Sequence, residues 1–206
     1  MIGIYGGTFN PIHYGHLRTA LEVKELFALQ DMRLLPCALP AHRENPEVSA
    51  DMRLQMLHLA LEKYPQLQVD TREITRPGVS YMVDTLKSLR DEGNEQPIIL
   101  FIGVDSFNGL RTWHCWQDLF LYAHIVVMTR PQFTPVALDD FYKNKLVSDR
   151  DSLKSCVSGK IYFQQVRQLD ISATDIRAVF MAQKDPSFLL PEIIIEYIRD
   201  HHLYGT

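Results

Sequence analysis

The stretch Gly6-Gly7-Thr8-Phe9-Asn10-Pro11-Ile12-His13-Tyr14-Gly15-His16 lies between an apolar start, Ile2 to Tyr5, and a run with helical spacing, Leu17–Leu29. Two glycines and two histidines therefore fall where a first strand hands over to a first helix. Open α/β sheets bind ligands at that junction, beyond the carboxyl end of a strand and at the positive end of a helix. Gly6 and Gly7 lack a Cβ, so a phosphate or nucleobase can approach the main chain closely. Asn10-Pro11 makes a turn. His13 and His16 are three apart, so on an entering helical turn they face one point. An imidazole there can donate hydrogen bonds to phosphate oxygens, and adjacent negative charge favours its cationic form.

Other uses of these residues are open at this level. A glycine pair after a strand is also a plain turn, and two histidines so spaced could be half of a metal site. A zinc site needs about four ligands of Cys, His or carboxylate type, and no second cluster stands near enough in sequence to complete one. A phosphate loop of the form G-x-x-x-x-G-K-[ST] is absent near the first helix, and G-x-G-x-x-G does not occur, which leaves hydride transfer to a dinucleotide with little support.

Working outward, short apolar runs alternate with longer amphipathic ones. Ile2–Tyr5, Arg33–Pro36, Leu67–Val69, Ile98–Gly103, Ile125–Thr129 and Ile161–Gln164 read as strands, the fourth and fifth apolar enough to be buried on both faces. Leu17–Leu29, Asp51–Lys63, Tyr81–Arg90 and Trp113–Tyr122 carry helical spacing, and Pro191 opens a last helix to about His201. The repetition predicts an α/β fold, a doubly wound parallel sheet flanked by helices. Ala38–Val48 and Arg130–Asp151 read as loops, and no domain boundary stands out, so residues 1–206 are expected to form one domain.

Composition narrows the class. The chain has 206 residues, 46% hydrophobic and 22% charged, as in ordinary globular proteins. A net charge of −4 speaks against a broad nucleic-acid surface, which needs excess Lys and Arg. Cys37, Cys115 and Cys156 are odd in number and form no CxxC pair, so a reducing, cytoplasmic setting is expected. No apolar run reaches the length of a bilayer span, and no membrane role is expected.

Three later segments could carry chemistry. Ser172 and Asp175 precede Ile176, Val179 and Phe180 as in a capping box; a capped helix start is also an anion site, to which Arg177 could add a charge-assisted hydrogen bond. Asp105 at the end of a buried strand could accept from ribose hydroxyls or simply cap a helix. Trp113 and Trp116 could fill core or stack a flat ring. His42 and Arg43 lie on a loop and read, unaided, as solvated surface charge.

The first stretch resembles the (H/T)xGH signature of the nucleotidyltransferase superfamily, in the long GGTF(D/N)PxHxGH form of bacterial nicotinate-nucleotide adenylyltransferases. Ile171-Ser172-Ala173-Thr174-Asp175-Ile176-Arg177 is similar to that family's IS(S/A)TxIR motif. Phe101–Ser106 with Thr112-Trp113 is similar to its GxD(S) strand end and following tryptophan, Pro36–Arg43 to its PxxxPPH(K/R) loop, and Ser80–Leu86 to its SYTxxTL segment. The likeness runs from Ile2 to about Tyr204. Ala41 replaces the usual second proline, Cys37-Ala38 stands where relatives often carry asparagine, and Asn10 replaces the commoner aspartate.

The resemblance implies a Rossmann-like fold and transfer of the adenylyl group of ATP to nicotinate mononucleotide, with release of pyrophosphate. It implies catalytic roles for His13, His16, Ser172, Thr174 and Arg177, and ATP contacts from Gly6, Gly7, Thr8, Phe9, Gly15, Gly103 and Asp105. It assigns the mononucleotide to His42, Arg43, Met82, Val83, Trp113 and His114, with Trp113 stacking on the pyridine and main-chain amides near Val83 and His114 taking the carboxylate. Mg²⁺ is expected on the ATP phosphates, with no protein carboxylate cluster to hold it. The alternatives are a nicotinamide-mononucleotide or pantetheine-phosphate adenylyltransferase, or a nucleotide-binding module without turnover.

Overall fold

A computed structural model describes residues 1–39, 46–130, 138–167 and 169–206. In chain order its elements are β1 (Ile2–Gly7), α1 (Tyr14–Leu26), β2 (Asp31–Pro36), α2 (Ala50–Leu61), β3 (Gln68–Val69), α3 (Arg72–Thr75), α4 (Met82–Asp91), β4 (Ile98–Gly103) and α5 (Val104–Asn108). They continue with α6 (Leu119–Tyr122), β5 (His124–Thr129), α7 (Asp140–Lys143), β6 (Ile161–Gln165), α8 (Ala173–Met181) and α9 (Glu192–Asp200), with short 3₁₀ turns between.

The strands form one parallel sheet in the order β3-β2-β1-β4-β5-β6. The chain winds from β1 out to β3, then returns to the other side of β1 and winds out to β6. The order reverses between β1 and β4, and the carboxyl ends there are Gly6-Gly7 and Gly103. Such a switch point opens a crevice, because the connections leave the two strands in opposite directions.

The core lies on both faces of the sheet. Alternation along β4 sends Ile99 and Phe101 to one apolar cluster with α1, α2, α8 and α9, and Ile98, Leu100 and Ile102 to the other, with α4 and α6. β5 behaves the same way, which is why both strands read as unbroken apolar runs. His124 opens β5 without exposure: its Nδ1 accepts from the Lys160 amide at 3.1 Å, so the proton resides on Nε2, which donates to the Cys156 carbonyl at 2.9 Å.

Two expectations need correction. Trp113–Tyr122 is not one helix, because Trp113 is extended and Cys115 takes a left-handed φ of 47°, so only a 3₁₀ turn at Trp116–Asp118 and the short α6 form. Within Arg130–Asp151, residues 131–137 lie outside the described residues; of the remainder, Asp139 caps α7 by accepting from the Tyr142 amide, and Arg150–Lys154 forms a 3₁₀ turn. Phe141 and Tyr142 of that segment pack against Trp116, and Tyr142 also meets Phe107, which draws the segment onto the sheet and gives Trp116 a structural role.

Candidate active site

A cavity of about 540 Å³ opens at the switch point. Its floor is the carboxyl end of β1 and β4, from Gly6, Gly7 and Thr8 to Gly103 and Asp105, and its walls include His16, Met82, Trp113 and His114. A Cβ built on Gly103 would meet nothing within 4 Å, so that position faces open space.

At one end His16 lines the cavity, with the buried His13 behind it and outside the lining. His13 is the residue before α1 and His16 lies in its first turn, and their rings sit 3.7 Å apart between centroids at 32°. Phe9 is 1% exposed and meets His16 edge-on at 5.1 Å, so it supports the imidazole from below the wall and does not line the cavity. The Nδ1 atoms of both histidines are buried without a hydrogen-bond partner among the described residues. Burial lowers His13 to about 4, and burial with the neighbouring His13 holds His16 well below the ordinary imidazole value. Both rings are neutral at pH 7, each with an unused polar nitrogen, which is costly unless another group supplies the missing bond.

The α8 segment adjoins this corner. Gly15 has room only for hydrogen: a Cβ there would stand 2.9 Å from the His13 ring and 3.3 Å from the Ile171 carbonyl. Ser172 accepts from the Asp175 amide at 3.1 Å and donates to its carboxylate at 2.6 Å, so the expected cap is present. The two amides that follow, Ala173 and Thr174, precede the first intrahelical bond and keep their donors free. Arg177 donates to the Asn10 carbonyl at 2.8 Å and to Thr174 Oγ1 at 3.3 Å, tying α8 to the Asn10–His16 segment. Ser172, Thr174 and Arg177 lie beside the cavity and do not form its lining.

The other end is built from α4 and the Trp113 turn. Tyr81 precedes α4 without capping it through a side chain, so the amides of Met82 and Val83 are first-turn donors with no intrahelical partner. The Val83 side chain is in the core and Val83 is not among the residues that line the cavity, so only its main-chain amide, next to the lining residue Met82, is left to serve a ligand. His114 rests on Tyr81 at 4.3 Å between centroids, beside Trp113 on the wall. His42 and Arg43 lie outside the described residues. No three His, Cys, Asp or Glu side chains approach closely enough to hold a metal among the described residues.

Residues 4–179 match the family model described as cytidylyltransferase-like. Over 209 residues, all of both chains, the protein is 44% identical to a "probable nicotinate-nucleotide adenylyltransferase" of Methylococcus capsulatus. The chain belongs to that family. A second member, of the same name, from Pseudomonas aeruginosa is 44% identical over 98% of this chain and 96% of its own. The Plasmodium falciparum nicotinic acid mononucleotide adenylyltransferase complexed with NaAD superposes with a TM-score of 0.76 over 98% of this chain and 96% of that one; at 18% identity that likeness concerns the fold.

Several residues of this adenylyltransferase-family site escaped the sequence reading. Arg53 is 1% exposed and donates to Thr8 O at 2.6 Å, Ala38 O at 3.1 Å and Val48 O at 3.3 Å, fixing the loop that follows β1. Its spacing was the available signal, since Arg53 shares a helical face with the buried Met56, Leu57 and Ala60. Glu73 and Tyr204 are likewise buried near the site without any motif to mark them, whereas the buried Thr85 falls within the Ser80–Leu86 segment.

Proposed function

We propose that the chain transfers the adenylyl group of ATP to nicotinate mononucleotide, giving the deamido dinucleotide and pyrophosphate. The observation that carries this reading is one cavity with two different anion-seeking ends. At one, His16 lines the cavity with His13 packed behind it, both with an unpartnered Nδ1, and the first turn of α8, with its free amides, lies beside it. At the other, free first-turn amides of α4 stand beside Trp113. The first suits a triphosphate and the second a flat acid such as a pyridine carboxylate. The names of the relatives support the same assignment.

In this reading a phosphate oxygen of the mononucleotide attacks the α-phosphorus of ATP in line, the α–β bridging bond breaks, and pyrophosphate leaves. The nucleophile is already ionised, since a phosphate monoester has its second pKa near about 6, so the chain needs no general base. What the chain supplies is position and charge stabilisation. His13, His16, Thr174 and Arg177 serve the phosphates, and Ser172 holds the start of α8. Gly6, Gly7, Thr8, Gly103 and Asp105 receive the nucleoside part of ATP, with Phe9 and Gly15 shaping that wall. The amides of Met82, Val83 and His114 receive the pyridine carboxylate and Trp113 its ring. Approaching phosphate raises the imidazole pKa values, so the pair can turn cationic as the charge it stabilises arrives.

Mg²⁺ suits this site as a passenger on the triphosphate, because it prefers oxygen ligands and the chain offers imidazoles there. It would neutralise phosphate charge. Residues 1–206 act as one nucleotidyltransferase domain in this reading, and the free thiols of Cys37, Cys115 and Cys156 fit a cytoplasmic setting. No described helix is long and apolar enough to cross a membrane. The purified chain with ATP, Mg²⁺ and nicotinate mononucleotide should release pyrophosphate and stop when a chelator is added. Absence of pyrophosphate with either pyridine mononucleotide or with phosphopantetheine would favour a binding module instead.

A further inference from the structure

We propose that Glu73 is a positioning residue for acid specificity: through the Thr85 hydroxyl it fixes the first turn of α4, whose amides receive the substrate carboxylate. The inference rests on the reading of the chain as a nicotinate-mononucleotide adenylyltransferase and deepens it.

Glu73 lies in the short α3, lines the cavity, and is 4% exposed, an unusual place for a carboxyl group. Thr85 is fully buried one turn into α4, and its Oγ1 donates to Glu73 Oε1 at 2.8 Å. The direction of that bond is fixed by a third residue. Arg76 Nη2 donates to Thr85 Oγ1 at 3.1 Å, and a guanidinium cannot accept, so the hydroxyl must spend its own proton on Glu73. Arg76 Nη2 also reaches the Tyr81 carbonyl at 3.4 Å, which already accepts from the Asp84 and Thr85 amides. Arg76, Glu73 and Thr85 thus brace the turn from Tyr81 to Thr85 from beneath.

The same carboxyl group faces the Ser80 hydroxyl and the Cys37 thiol. Ser80 in turn accepts from the Ala38 amide at 3.2 Å and donates its own amide to the Leu39 carbonyl at 3.0 Å. Glu73 therefore stands where α3, α4 and the strand end at Cys37 meet. Burial raises its pKa, while Thr85 and Arg76 draw it down, and Asp70 adds to the rise. A bare negative charge beside a carboxylate site would repel the acid. Arg76 and two hydroxyls answer that charge, so the group can serve as an acceptor for Thr85 without spoiling the anion site.

The test measures kcat and KM for ATP, nicotinate mononucleotide and nicotinamide mononucleotide in the parent chain, E73A, E73Q and T85V. In E73A the acid's KM should rise about tenfold and the acid-over-amide ratio of kcat/KM should fall about tenfold, while kcat and the KM for ATP stay within about threefold. E73Q keeps an acceptor oxygen for Thr85 and should remain within about threefold of the parent. T85V removes the donor at nearly constant volume and should repeat E73A, which keeps the test decisive if E73A does not fold. An unchanged acid-over-amide ratio in T85V, or a loss in E73Q equal to that in E73A, overturns the inference. If the parent uses neither pyridine substrate, the functional reading falls with it; if the parent is active and only the variants fail to respond, the inference alone falls.

Discussion

The Tyr204 hydroxyl donates to Asn10 Oδ1 at 2.5 Å, joining the last turn of the chain to the loop after β1. Arg177 holds the carbonyl of the same Asn10 at 2.8 Å, so one residue of the first motif is clamped from both α8 and the C-terminal tail. Burial raises the Tyr204 hydroxyl far above its ordinary pKa, which keeps it a donor at any working pH. Tyr204→Phe should cost about 1 kcal/mol of stability, the usual net worth of one hydrogen bond. It should also lower kcat, because the His13–His16 corner loses one of its anchors. Denaturant midpoint and turnover measured on the same preparation check both, and an unchanged kcat would limit the bond to folding.

If the proposed adenylyl transfer is right, His16→Ala removes a donor to charge that develops on the transferring phosphates. We expect kcat to fall by about 10²–10³ while the fold survives, the range typical for loss of one such donor. His13→Ala should follow it, since the two rings are in contact, 3.7 Å apart between centroids. A loss below about threefold for His16→Ala, in steady-state assays at saturating ATP, would mean that the ring only packs.

The same pair makes stability depend on pH. Burial takes His13 from 6.5 to about 4 and holds His16 and His124 down as well. Between those values the unfolded chain binds protons that the folded chain does not. Their contribution is therefore complete above the unfolded pKa and drains away as pH falls from about 6.5 through about 4. Melting curves should show a nearly constant midpoint above about pH 7 and a steady decline below it. His13→Gln should flatten part of that decline, leaving the shares of His16 and His124. An identical slope in the variant would show that His13 is not neutral in the folded chain.

The strand-to-helix junction at Gly6–His16 was legible because its signals are local: an apolar strand, glycines at its end, and histidines at helical spacing. The central strands were legible for the same reason, since burial on both faces writes an unbroken apolar run at Ile98–Gly103. The break at Cys115 was not, because a left-handed φ in a residue other than glycine leaves no mark in the sequence. Nor were Arg53, Glu73 and Tyr204. Each acts on a partner 45, 12 and 194 residues away, and only the folded sheet brings such pairs together. The Ser172 cap was read correctly from its spacing to Asp175, whereas the clamp of Arg177 on Asn10 needed the fold.

The most direct test of the account is a competition in which the chain receives ATP, Mg²⁺ and equal amounts of nicotinate and nicotinamide mononucleotides, with the two dinucleotide products resolved by mass spectrometry. Main-chain amides at the start of α4 can only donate. A carboxylate satisfies them, while a carboxamide turning its NH₂ toward them leaves groups unpaired at roughly 1–3 kcal/mol each. With each 1.4 kcal/mol worth a factor of ten, the deamido product should dominate by at least about tenfold and up to a few hundredfold. Equal amounts of the two dinucleotides would contradict the assignment of the α4 amides and Trp113 to an acid, and formation of neither would contradict adenylyl transfer to a pyridine mononucleotide altogether.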